Sequence, residues 1–189
     1  MNTSPAEESF QEYIIHQLKM GPRAAEYSER QESFSNAVDN IVTLWTENRK
    51  NKTTWTSDFQ GKASKLLRTL ENKSAFQIYL SNFDVYAHRS MTDGFYRSCS
   101  MRSKIQVIVE EFVDFADLVP EEDADHLEYI DDLYKDFADD IPPIPHDKIP
   151  SWVPASHWWW RVPTRHDMSR EEIEERLYDY HPEDWNPDY

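Results

Sequence analysis

Glycine, cysteine and long apolar runs are scarce in this chain, and each shortage removes a class of function. Its 189 residues include only three glycines, Gly21, Gly61 and Gly94. Tight hairpins, phosphate-cradling loops and dinucleotide fingerprints depend on glycine's access to left-handed backbone, so hairpin-rich β folds and Gly-rich nucleotide sites are not expected. The single cysteine, Cys99, rules out an intramolecular disulfide framework and a Cys-based zinc knuckle, and it fits a reducing compartment. No apolar run approaches the roughly 20 residues that span a bilayer. The opening stretch MNTSPAEESFQEY has neither a basic n-region nor an apolar h-region. The expectation is a soluble intracellular protein, cytoplasmic or nuclear, with no membrane partner. Without a secretory route, the Asn-x-Ser/Thr matches at Asn2, Asn51 and Asn72 carry little weight.

Positive charge is also in short supply: 20 lysines and arginines face 36 carboxylates, for a net charge of −16. Such a balance argues against direct nucleic-acid or anionic-membrane binding. The charge is unevenly laid out. Residues 61–110 hold eight bases against four acids, whereas residues 111–140 hold thirteen acids and one base, Lys135. A basic middle therefore abuts an acidic segment, which suggests intramolecular charge balance plus a solvated acidic face.

What the chain has in abundance is helical periodicity. Ser4-Pro5-Ala6-Glu7 reads as a capped helix start, followed by Phe10, Tyr13, Ile14 and Leu18 and stopped by Gly21-Pro22. A second helix over about 24–48 carries Phe34, Val38, Ile41, Val42 and Trp45. A third, about 57–70, carries Phe59, Ala63, Leu66, Leu67 and Leu70. A capping-box pattern at Ser74–Gln77 opens a fourth with Phe76, Leu80, Phe83 and Ala87. The spacing predicts a fifth over 95–118 (Ile105, Ile108, Val109, Phe112, Ala116) and a sixth over 122–138 (Leu127, Ile130, Tyr134, Phe137). No stretch shows sustained period-two alternation, and no fixed-period repeat occurs. The expected fold is all-α: a bundle of about six helices over residues 1–140.

The last quarter, 141–189, has a different composition. It holds eight of the eleven prolines and five of the seven tryptophans, beginning IPPIPHDKIPSWVPASHWWWRVP. Proline suits neither a helix interior nor a sheet ladder, so the segment reads as an extended arm, with a short helix over 169–180 capped by Ser169-Arg-Glu-Glu172. Tryptophans on such an arm either clamp onto the body or dock into a partner, and a mixture of the two is the expected outcome. Trp152, Trp158, Trp159 and Trp160 are the candidate partner-binding anchors. Asp131, Asp132, Asp136, Asp139 and Asp140 are the candidate steering charges for a partner with a basic or apolar groove.

Chemistry-bearing patterns are sparse. Asp84/His88 and Glu122/His126 are i,i+4 pairs, and four further histidines lie in the tail (146, 157, 166, 181), but no HExxH or paired Glu-x-x-His spacing occurs. Cys99 sits in the basic run RSCSMR, which would lower a thiol pKa, yet no motif marks a partner histidine; a buried, inert Cys99 is the expectation. Arg89, Arg97, Arg102 and Lys104 with Phe95 and Tyr96 form a small basic–aromatic patch, read as the intramolecular partner of the acidic segment. The functional expectation is a non-enzymatic protein-interaction or regulatory protein with no cofactor or metal. Two alternatives are an acidic DNA-mimic inhibitor of a nucleic-acid-binding protein and a small helical metal-dependent enzyme.

Overall fold

A computed structural model describes residues 5–23, 27–90, 94–165, 169, 171 and 172. The fold is all-α, with six α-helices and no strand among the described residues. They are α1 (Pro5–Met20), α2 (Tyr27–Asn51), α3 (Ser57–Leu67), α4 (Leu70–His88), α5 (Tyr96–Glu111) and α6 (His126–Asp136). Short 3-10 turns follow α1 (Gly21–Arg23), follow α5 (Phe115–Asp117 and Glu121–Asp123) and punctuate the tail (His146–Lys148 and Trp158–Arg161). None of these helices is long and apolar enough to cross a membrane.

The chain forms two compact units. The first comprises Met1–Ser81 and Lys104–Ala124, the second Asn82–Ser103 and Asp125–Tyr189. The chain crosses between them within α4, within α5 and just before α6.

In the first unit α1 packs against α2 and α3. Ile14, Ile15 and Leu18 are buried, and so are Phe34, Val38, Ile41 and Trp45 of α2. Tyr13, expected to face inward, is exposed; the inward stripe of α1 runs instead through Gln11, whose side-chain oxygen accepts from Thr56 at 2.9 Å. Phe34 meets Phe76 and Tyr79 edge-on at 6.2 Å, and Phe76 meets Phe115 at 6.0 Å. Gly21 is dictated by a close approach: a Cβ there would collide with the Ser33 side chain on α2.

Several helix boundaries differ from the sequence pattern; α6, for one, begins at His126 and not near 122, where Glu121–Asp123 forms a 3-10 turn. Thr56 caps α3 by accepting from the Phe59 amide at 3.2 Å. The helix then breaks at Arg68–Thr69, so Leu70 does not extend its apolar stripe; it begins α4 and is 80% exposed. α4 therefore starts at Leu70 and not at the Ser74 capping pattern. Buried Asn72 anchors that start, its side-chain amide donating to the carbonyls of Leu18 (2.8 Å) and Leu66 (3.0 Å). α5 ends at Glu111 and not near 118. Phe112, Val113, Phe115, Leu118 and Val119 are all buried, a set no single helical stripe accommodates. The carboxylate of Glu111 also receives the indole N–H groups of Trp45 (2.8 Å) and Trp55 (2.7 Å), while Gln60 donates to its carbonyl at 2.7 Å.

Candidate interaction surface

The second unit contains every described residue singled out as partner-binding, and its arrangement starts from α5. Phe95, Ser98, Cys99, Arg102 and Ser103 of this segment are buried. Gly94, just before α5, has φ 77°, a left-handed conformation that only glycine adopts without strain. The tail comes back over α5 as extended chain with two 3-10 turns, burying Ile141, Ile144 and Val153. Thr164 and Arg165 tie its end down, their amides donating to the carbonyls of Ala138 (2.7 Å) and Ile141 (3.1 Å).

The four described tail tryptophans differ in burial. Trp159 and Trp160 are 3% and 0% exposed, so in this conformation they hold the unit together. Trp158 is half-buried, edge-on to Trp159 at 5.9 Å, with Lys135 Nζ 5.5 Å from its ring. Trp152 is also half-buried. Trp160 stands perpendicular to Tyr96 at 5.3 Å, and Arg102 lies 4.4 Å from the Trp159 ring.

Ser103 is the polar centre of this seat. Its hydroxyl oxygen accepts from the indole N–H of Trp159 at 3.0 Å and of Trp160 at 2.8 Å, and lies 2.9 Å from His157 Nδ1. A hydroxyl offers two lone pairs and one proton. With both lone pairs taken, the O–H donates to Nδ1, which places the imidazole proton of His157 on Nε2. Trp159 also donates to the Cys99 carbonyl at 3.3 Å. The serine–histidine contact was invisible in the sequence, since 54 positions separate the two residues. Both are buried, so the pair acts here as a joint. Burial pushes the Cys99 thiol well above its ordinary pKa; its basic sequence neighbours do not set its character, because desolvation disfavours the thiolate.

Of the candidate acids, Asp131 is committed internally: it takes both Arg102 Nε (2.9 Å) and Nη2 (3.0 Å). Asp132 pairs with Lys135 at 2.7 Å, and Asp139 accepts from the Thr164 hydroxyl at 2.7 Å. Asp132, Asp136, Asp139 and Asp140 are exposed. Within the basic patch, Arg102 answers the acidic segment through Asp131. Lys104 instead pairs with Asp39 of α2 in the first unit at 2.6 Å, and Arg97 stacks on Tyr86 at 3.9 Å.

The histidines also regroup. Asp84 Oδ1 lies 3.6 Å from His88 Nδ1, the anticipated pair, but also 3.5 Å from Nε2 of His126, which had been matched with Glu122. No group of three or more His, Cys, Asp or Glu side chains among the described residues is arranged to hold a metal ion. His166 and His181 lie outside the described residues, as does the body of the helix expected over 169–180. Its cap is present: Ser169 Oγ accepts from the Glu172 amide at 3.2 Å and the Ser169 amide donates to Glu172 at 2.8 Å.

Comparison with family models, with curated proteins and with solved structures returns no match to this chain.

Proposed function

We propose that the chain is a non-enzymatic interaction or regulatory protein that binds a basic partner protein through the exposed face of α6. The observation that carries this reading is the division of labour in the second unit. Trp159 and Trp160 are spent on burial, whereas Asp132, Asp136, Asp139 and Asp140 stand exposed along and just beyond α6. Aligned carboxylates raise the encounter rate with a cationic surface and suppress wrong partners. In this reading the tail supports the acidic face, and Trp152 and Trp158 flank it as apolar contacts.

The test is affinity capture with the wild-type chain and a variant in which Asp132, Asp136, Asp139 and Asp140 are all replaced by asparagine, quantified by mass spectrometry. A defined set of basic proteins should be retained by the wild type and lost both in the variant and at high salt. Identical capture by both chains sinks the reading. The row of exposed carboxylates also favours a second reading, a mimic of nucleic-acid phosphates that inhibits a DNA-binding protein. Release of the captured partner by duplex DNA distinguishes that case.

A further inference from the structure

The outward stripe of α6 is not purely acidic. Asp125, Tyr129, Asp132 and Asp136 follow one another at offsets of four, three and four residues, the spacing that aligns side chains on one helical face. All four are exposed, while Ile130 and Tyr134 on the opposite side are buried. A large aromatic in the middle of a row of carboxylates adds nothing to solubility.

Tyr129 is also held in place. It is 49% exposed, yet its hydroxyl is 2.8 Å from His88 Nε2. His88 Nδ1 faces the Asp84 carbonyl oxygen at 2.9 Å. A carbonyl only accepts, so Nδ1 carries the proton and, in the neutral ring, Nε2 accepts from Tyr129. The rings of His88 and His126 each lie 5.9 Å from that of Tyr129. Most exposed aromatics lose rotamer freedom on binding; this one is fixed beforehand. Val85, also 49% exposed, lies three residues before His88 and so on the same side of α4. Asp84 Oδ1 lies 3.6 Å from His88 Nδ1 and 3.5 Å from His126 Nε2, the two histidines beside Tyr129, and Asp125 and Asp132 share its helical face. Lys135 on α6 is joined to Asp132, and Arg89, next in sequence to His88, is itself engaged.

We propose that Tyr129 and Val85 form the docking point for an arginine- or lysine-bearing segment of a partner protein. The cation lies over the tyrosine ring among the carboxylates, and an adjacent apolar side chain rests on Val85. The π-face and the acids both favour a cation and repel nucleic acid, anionic lipid and a second copy of this acidic chain. This inference rests on the interaction-protein reading and specifies where the cation is held: at Tyr129 of α6, beside His88 and Val85 of α4.

The experiment is an NMR titration of the 15N-labelled full chain with a synthetic peptide of alternating arginine and leucine, beside its glutamate-for-arginine counterpart. The arginine peptide should move the amide resonances of 84–88 and 125–136, and the glutamate peptide should not. Tyr129→Ala should weaken binding about five- to tenfold, and Tyr129→Phe, which keeps the ring, by no more than about threefold. Unchanged affinity in Tyr129→Ala, or wild-type shifts confined to other residues, overturns the proposal. Should Tyr129→Ala fail to fold, the wild-type shift map decides alone. If Trp158→Ala abolishes binding while Tyr129→Ala does not, the docking point is wrong and the interaction reading stands. If neither peptide moves any resonance, both fall.

Discussion

Ser103 shows how one small side chain can carry a large share of a unit's specificity. Its hydroxyl meets two buried indoles and one buried imidazole, groups that are costly to leave unpaired away from water. In Ser103→Ala, Trp159 keeps the Cys99 carbonyl as an acceptor, but the Trp160 N–H loses the bond to Ser103 and His157 Nδ1 loses its donor. Each orphaned buried group costs about 1–3 kcal/mol, so a loss of roughly 2–6 kcal/mol is expected in urea unfolding. Ser103→Thr retains the hydroxyl and separates hydrogen bonding from packing, since its extra methyl tests only space. A Ser103→Ala melt indistinguishable from wild type would mean that the network is not formed in solution. Asn72 works by the same rule in the first unit, where one side-chain amide closes off carbonyls from α1 and α3.

At the level of elements, the sequence was most legible where a single apolar stripe met a single buried face. Phe34, Val38, Ile41 and Trp45 in α2, and Phe59, Ala63 and Leu67 in α3, sit as their spacing requires. It misled where tertiary partners decided. Leu66, Leu67 and Leu70 read as one helix, yet the chain breaks between them because Asn72 bonds back to Leu66. The helical reading through Phe112 and Ala116 failed because two indoles hold Glu111 and five neighbouring apolar residues needed burial at once. The concentration of tryptophan in the tail was legible, but which of the described rings turn inward depends on Ser103, remote in sequence. Helix ends also carry opposed predictions from one piece of physics. Lys52, after α2, has φ 53°, and Gly94, before α5, has φ 77°. A side chain in left-handed backbone costs about 1 kcal/mol, so Lys52→Gly should stabilise by up to about that amount and Gly94→Ala destabilise by a similar or larger one. Chemical denaturation of both variants checks the signs; shifts in the same direction would refute the assignment.

For the whole molecule, stability depends on keeping the tail seated and two buried groups protonated. Burial raises both the Cys99 thiol and the Tyr134 phenol well above their ordinary values. The unfolded chain ionises them near pH ~8.5 and ~10 respectively, while the folded chain keeps both protons. The folded state therefore binds more protons at alkaline pH, and its stability, fully present below about pH 8.5, falls as pH rises. The slope approaches about 1.4 kcal/mol per pH unit for each group, and Cys99→Ala should delay the onset to near pH 10. Removing the tail goes further. A chain ending at Asp140 loses Ile141, Ile144, Val153, His157, Trp159 and Trp160 from a buried setting. Deleting one buried tryptophan side chain costs about 3–5 kcal/mol, and whole domains are stable by only about 5–15 kcal/mol. Two such losses uncover the α5 seat at Cys99 and Ser103. The full chain should emit blue-shifted tryptophan fluorescence. The truncation should melt far lower, with hydrogen exchange accelerated at 96–103 and 126–136. Matching melts and unchanged protection in these two helices would mean that the tail is a free ribbon in solution, and partner binding would then have to be sought on Trp152, Trp158, Trp159 and Trp160 and not on α6.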